Sequence, residues 1–156
     1  MDPTKLMRLA IDKAREGIAA GQTPFGCAIA IDGAVVAINH NTVWRSVDVT
    51  AHAEINAVRA ACAQTGQIHL RGAIVATTCE PCPMCMAALH WARVDTVYYG
   101  AAIADAALAG FNELGLPAAE VLRLGASGVQ LRGDVLRDEC RRLFDEWRGL
   151  QEARSY

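Results

Sequence analysis

The sequence predicts an α/β domain in which helices cover both faces of one mixed sheet. Three observations predict it. A helix-period pattern opens the chain. Asp32-Gly33 then separates two short apolar runs, which is a strong hairpin signal. From residue 50 onward, short apolar strand-like runs alternate with helical patterns. The hairpin is antiparallel and the alternation favours parallel neighbours, so the sheet is mixed.

The elements follow in order. Asp2-Pro3-Thr4 reads as a helix start, with an acceptor cap and proline in the first turn. Leu6, Leu9, Ala10, Lys13, Ala14 and Ile18 recur at helical spacing, and Gly21 closes the segment. Residues 26–31 and 34–38 are the hairpin strands, and 39–49 is polar and irregular, hence a loop. A helix opens at Thr50 to Glu54 and stops near Gly66. Ile74 to Thr77 is a strand, Cys82 to Trp91 a helix, and Thr96 to Tyr99 another strand. Beyond it the pattern weakens to a short helix at 105–109 and a strand at 128–131. An amphipathic helix follows from Asp134 to Trp147, with Leu136, Cys140, Leu143, Phe144 and Trp147 on one face. There is no internal repeat, linker or low-complexity segment, so 156 residues make one domain with a core of its own.

Composition narrows the function classes. Apolar residues make up 53% and charged residues 21%, an ordinary globular balance. The formal net charge is -2 with scattered basic residues, which argues against a nucleic-acid partner. Residues 1–20 carry charges throughout, so they read as neither signal peptide nor membrane span, and a cytoplasmic location is expected. Of the six cysteines, Cys82 and Cys85 stand at metal-ligand spacing, while Cys27, Cys62 and Cys140 sit among apolar residues as small core side chains.

The chemistry concentrates in two stretches, His52-Ala53-Glu54 and Pro81-Cys82-Pro83-Met84-Cys85. Cys82 and Cys85 share one face of a helix start, where dipole and free N–H groups favour thiolate. With His52 they make a three-ligand zinc set, and such a set keeps a fourth position for water. Glu54 lies two residues beyond His52, about 200° around a regular helix, yet in the first turn it can lean over that water as the proton carrier. A rival arrangement recruits Cys79 as a fourth ligand and makes a closed structural site with no task for Glu54.

These stretches match the H-x-E and P-C-x-x-C signature of zinc deaminases. The chain resembles the cytidine deaminase superfamily, and within it the bacterial guanine deaminases. The likeness is carried by Pro24-Phe25-Gly26, Asn41, Thr50 to Glu54, Thr78 to Cys85, Trp91-Ala92-Arg93, Asp105 through Phe111, and a tail with Trp147-Arg148 ending in Tyr156. The resemblance implies a three-layer α/β/α sandwich around a mixed five-stranded sheet, one zinc ion per chain held by His52, Cys82 and Cys85, and a homodimer. It implies Glu54 as the proton carrier and Glu113 as a second acid. It implies substrate contacts from Phe25, Asn41, Ala53, Trp91 and Tyr156, with the tail from about residue 149 exchanged between subunits. On residues alone, Phe25 and Trp91 read equally as core, Asn41 as a loop cap, Glu113 as a surface acid and Tyr156 as a frayed end.

The resulting expectation is hydrolytic deamination of a free nucleobase, guanine to xanthine plus ammonia. The chain departs from the family at Asn112-Glu113, where two aspartates are common, and at Asp48-Val49-Thr50, where Asp-Pro-Thr is common. Those departures keep cytosine, triazines and nucleosides open as substrates. A tRNA adenosine deaminase and a zinc-stabilised binding module are the remaining rivals.

Overall fold

The computed structural model describes residues 1–150 and 152–156. Helix α1 spans Pro3–Ala19. Asp2 caps it by accepting the Thr4 N–H at 3.0 Å, with proline at the first helical position. Its inner face buries Leu6, Met7, Ala10, Ile11, Ala14 and Ile18, each large side chain stabilising by about 1.5–3 kcal/mol. Strands β1 (Gly26–Ile31) and β2 (Ala34–His40) form the predicted hairpin. Asp32 and Gly33 both have positive φ, 49° and 80°, as a two-residue turn between twisted strands requires. Gly26 is needed for a second reason: a Cβ there would collide with the backbone of Ala10 and Ala14, so its absence lets α1 lie against the start of β1.

Strands β3 (Ile74–Cys79), β4 (Thr96–Ala101) and β5 (Gln130–Arg132) complete a five-stranded sheet in the order β2-β1-β3-β4-β5. The pairings β1–β2 and β1–β3 are antiparallel, and β3–β4 and β4–β5 are parallel, so the sheet is mixed as expected. Both faces are covered. Ala28, Ala30 and Ala76 face α1 and α7 (Arg137–Arg148), where Leu143, Phe144 and Trp147 complete one core. Cys27, Ile29, Val75 and Val97 face the opposite core, built with α3 (Ala53–Thr65), α4 (Pro83–Trp91) and Leu122. Alternate residues of one strand thus serve two cores, which explains the continuous apolar runs.

Several boundaries differ from the sequence reading. The stretch 39–49 contains a short helix, α2 (Val43–Ser46). Helix α5 is Ile103–Leu108, and α6 (Ala118–Leu124), inside the weakly patterned region, was not predicted. Helix α7 starts at Arg137 because Asp134 and Leu136 adopt positive φ and cannot continue a helix, which makes Leu136 the cap. Helices α3 and α4 each start one residue after the first metal-ligand candidate. No helix among the described residues is long and apolar enough to cross a membrane.

Candidate active site

The site lies where the carboxyl ends of β3 and β4 meet the start of antiparallel β1, a reversal of strand direction that opens a crevice. His52 caps α3 and Cys82 caps α4, both in extended backbone conformation. This overturns the helical-wheel estimate for Glu54. His52 is outside the helix, so the 200° rotation does not apply, and His52 and Glu54 both line one small cleft. Loop 41–51 is tied beneath α3 by the Asn56 side chain, which donates to the carbonyls of His40 (3.0 Å) and Ala51 (3.2 Å) and to the Thr42 hydroxyl (3.0 Å).

The His52 Nδ1 atom lies 3.7 Å from Cys82 Sγ and 3.5 Å from Cys85 Sγ, and all three donor atoms are within 4.8 Å of one another. Zinc at tetrahedral angles, about 2.3 Å from sulfur and 2.0 Å from nitrogen, would hold S and N about 3.5 Å apart, so the donor set fits it. The closed four-ligand arrangement is not formed. Cys79 turns its thiol to the Ala102 carbonyl at 3.6 Å, and burial pushes that thiol well up. A hydrogen bond from the Cys85 thiol, aided by His52, holds Cys82 down to about 4, so it is a ready thiolate. Beside that thiolate, and buried, Cys85 is pushed well up. Burial lowers His52, but the Cys82 hydrogen bond and the Glu54, Cys82 and Glu113 charges outweigh it, and the net shift is upward.

Glu54 is only 6% exposed, and burial raises its carboxyl above the ordinary carboxylate range. The Thr77 hydroxyl donates to Glu54 Oε1 at 2.8 Å, fixing the carboxylate from below. Glu113 also lines the cleft, raised by burial and by the Cys82 charge. One buried acid beside a zinc-type donor set, with a second acid across the cleft, is equipped for adding water and relaying its proton.

Residues 1–101 match the family model of the cytidine and deoxycytidylate deaminase zinc-binding region. This chain belongs to that deaminase family. It is 46% identical over 114 residues to a guanine deaminase of Bacillus subtilis, covering 72% of this chain and 73% of that one. It is 44% identical over 98 residues to a tRNA-specific adenosine deaminase of Agrobacterium fabrum, 63% of this chain and 64% of that one. A solved guanine deaminase from Nitrosomonas europaea superposes with a TM-score of 0.87 at 27% identity, covering 96% of this chain and 86% of that one.

In this deaminase the cleft is roofed by the end of the chain. Asn41 is fully buried. Its Oδ1 accepts the Val43 N–H at 3.0 Å and its Nδ2 donates to the Tyr156 hydroxyl at 2.6 Å. The Tyr156 ring stands 5.5 Å from His52 and 5.6 Å edge-on to Phe111, and burial pushes its phenol well up. Phe25 lines the cleft and packs edge-on to Phe111 at 4.9 Å, so it serves core and site together. Ala53 is fully buried at the first position of α3, behind the cleft rather than lining it. Trp91 is the clear departure from expectation. It ends α4, is 76% exposed and meets His90 edge-on, away from the cleft within this chain. Only the resemblance puts it at the base, and helix length carries it to the other end of α4. Thr77, Glu80, Phe111 and Asn56 were given no individual part by the sequence reading. Glu80 and Phe111 stood inside quoted motifs, whereas Thr77 and Asn56 had no local signal.

Proposed function

We propose that the chain is a zinc-dependent hydrolase of a free nucleobase, converting guanine and water to xanthine and ammonia. The observation that carries this reading is the enclosure of the metal-type triad and Glu54 beneath Asn41, Glu113 and Tyr156. The cleft's volume is about 20 Å³, room for about one water. A second cavity of about 300 Å³ lies against it, sharing His52, Cys82, Glu113 and Tyr156 as the partition. Glu113 and Tyr156 stand between the two, which together bracket a space suited to a nucleobase. A roof of that kind suits a free base, whereas a tRNA strand needs an open, basic channel, and the net charge is -2. The 46% identity to a guanine deaminase supports the same substrate.

Zinc held by His52, Cys82 and Cys85, one ion per chain, would supply Lewis acidity, bringing the pKa of a water down towards about 7. Glu54 takes the proton of the attacking water. It returns that proton to the ring nitrogen beside the amino-bearing carbon, then takes the second proton from the added hydroxyl, which becomes the carbonyl, and passes it to the departing amine. A carbon–oxygen bond forms, a carbon–nitrogen bond breaks, and ammonia leaves. Glu113, across the cleft, assists the second transfer. Asn41 and Tyr156 hold the base edge, and Phe25 walls its face. Val47, Val49 and Leu114 are 92%, 68% and 67% exposed, and Val49 and Leu114 line the outer cavity. This apolar rim supports the homodimer that the resemblance implies. In the single chain Tyr156 closes its own site, and exchange of tails belongs with that dimer proposal.

The test is an ammonia-release screen over guanine, guanosine, adenine, cytosine, cytidine and ammeline at matched zinc content. Guanine is expected to be the best substrate. An inert guanine beside a rapidly deaminated cytosine or nucleoside would overturn the substrate assignment, and metal analysis without stoichiometric zinc would overturn the cofactor.

A further inference from the structure

The cleft wall contains a carboxylate that neither metal ligation nor proton transfer uses. Glu80 lies two residues before Cys82, and its own N–H donates to the Ala101 carbonyl at 2.8 Å. Its side chain bridges two helices. Oε2 accepts the N–H of Ile103 at 3.2 Å, and Oε1 accepts the N–H of Ala118 at 2.9 Å. Ile103 is the first residue of α5 and Ala118 the first of α6. Both N–H groups belong to the unpaired donors of a helix start, and a charged acceptor bonds them more strongly than a neutral one.

One side chain therefore pins both ends of the span from residue 104 to residue 117. That span crosses Gly110, whose φ of 102° only glycine adopts readily, and presents Glu113 to the cleft and Asn112 to the outer cavity. Its inner side is held by Phe111 against Phe25 and Trp147, and by the Asn112 N–H on the Tyr156 main-chain oxygen at 3.3 Å. Its outer ends rest on Glu80. We propose that Glu80 is the positioning residue that sets Glu113 against the metal-ligand segment, by joining that segment to the starts of α5 and α6. This rests on the assignment of Glu113 to the substrate wall given above.

Glu80→Gln keeps the volume but turns one acceptor into a donor facing a donor. The experiment combines amide hydrogen exchange, zinc content and ammonia release from the zinc-loaded protein. Exchange across 103–118 should accelerate while α3 and α4 keep their protection and zinc stays bound. The kcat should fall about tenfold to a hundredfold, the scale of a misplaced catalytic group. Added to Glu113→Gln, the same substitution should cost little more, because its effect passes through Glu113. Ala118→Pro removes one donor and leaves the carboxylate intact. Proline is tolerated at a first helical position, and Pro117 already has the extended conformation (φ −61°, ψ 146°) that a following proline requires. It should reproduce a smaller part of both effects, and it carries the test if Glu80→Gln does not fold. Unchanged exchange over 103–118, or a full second loss in the Glu113→Gln background, would overturn the proposal. The exchange arm is independent of substrate. If guanine is inert and another heterocycle is turned over, the kinetic arm moves to that compound, and only the substrate assignment fails.

Discussion

The metal-ligand side of the cleft and its roof are built in opposite ways. His52, Glu54, Cys82 and Cys85 stand within the first turns of α3 and α4, on two helix starts joined through one strand. The roof is Glu113 and Tyr156, with Asn41 beneath it, and Tyr156 reaches Asn41 across 115 positions of sequence. The family model covers residues 1–101, which contain the whole donor set and none of Glu113 or Tyr156. The candidate reacting groups are thus assembled from short motifs, and the proposed substrate wall from long-range packing.

The comparison breaks first at Glu54. Glu54→Gln should bind zinc as the parent does and lose about 10²–10⁴-fold in ammonia release, the usual scale of general acid–base catalysis. Retained turnover would move the proton carrier to the roof, and Glu113 would be the next group to replace. Asn41→Ala tests the junction of the two regions. It strands the buried Val43 N–H and the Tyr156 hydroxyl, so stability should drop by about 1–3 kcal/mol in urea unfolding. A stability equal to the parent's would mean that roof and floor are not mechanically joined there.

Removing residues 154–156 sharpens the distinction. Zinc content should hold while kcat/KM for the base falls at least about tenfold, the equivalent of one lost hydrogen bond to the substrate or its wall. Trp44 is the point from which the tail hangs. Its indole N–H donates to the Arg154 carbonyl at 3.1 Å, and the Arg154 guanidinium lies 4.0 Å over its ring. Full activity of the truncated protein would leave Tyr156 without a part in the site.

The smallest effect concerns the packing of the C-terminal helix on the sheet. A Cβ at Gly100 would overlap Cys140, so β4 and α7 are in close contact there. Burial pushes the Cys140 thiol up to about 12, and Cys27 and Cys79 are also raised. An unfolded thiol ionises near pH 9, so above that pH the unfolded state binds fewer protons than the folded one, and stability falls as pH rises. Between about pH 9 and 11, Cys140→Ala should remove roughly 1.4 kcal/mol per pH unit from that slope. An unaltered slope in urea midpoints would place the alkaline loss on the other raised thiols.

Periodicity was enough for α1, the hairpin, β3, β4 and α7, because each presents a continuous apolar face or an unambiguous turn. It failed between residues 110 and 127, where α6 is only seven residues long and buries Ala118 and Leu122 alone. It also misjudged where α3 and α4 begin, since caps and first-turn residues look alike in a string of letters. At the site, the donor set was legible because ligand chemistry restricts both residue type and spacing. Trp91 shows the converse: a motif places a residue along the chain, but the helix that carries it decides which end of the molecule it reaches.

By itself the sequence determined the layered α/β class, the two helix-start motifs and the three candidate metal-donor residues. Each motif depends on neighbours within a few positions, where backbone geometry leaves little choice. Only the tertiary structure decided that Cys79 turns away from the donors, that Thr77 supports Glu54, that Glu80 spans two helix starts, and that the last residue closes the cleft. Each of those facts is a contact between segments far apart in sequence, and such contacts are selected by how the whole chain packs.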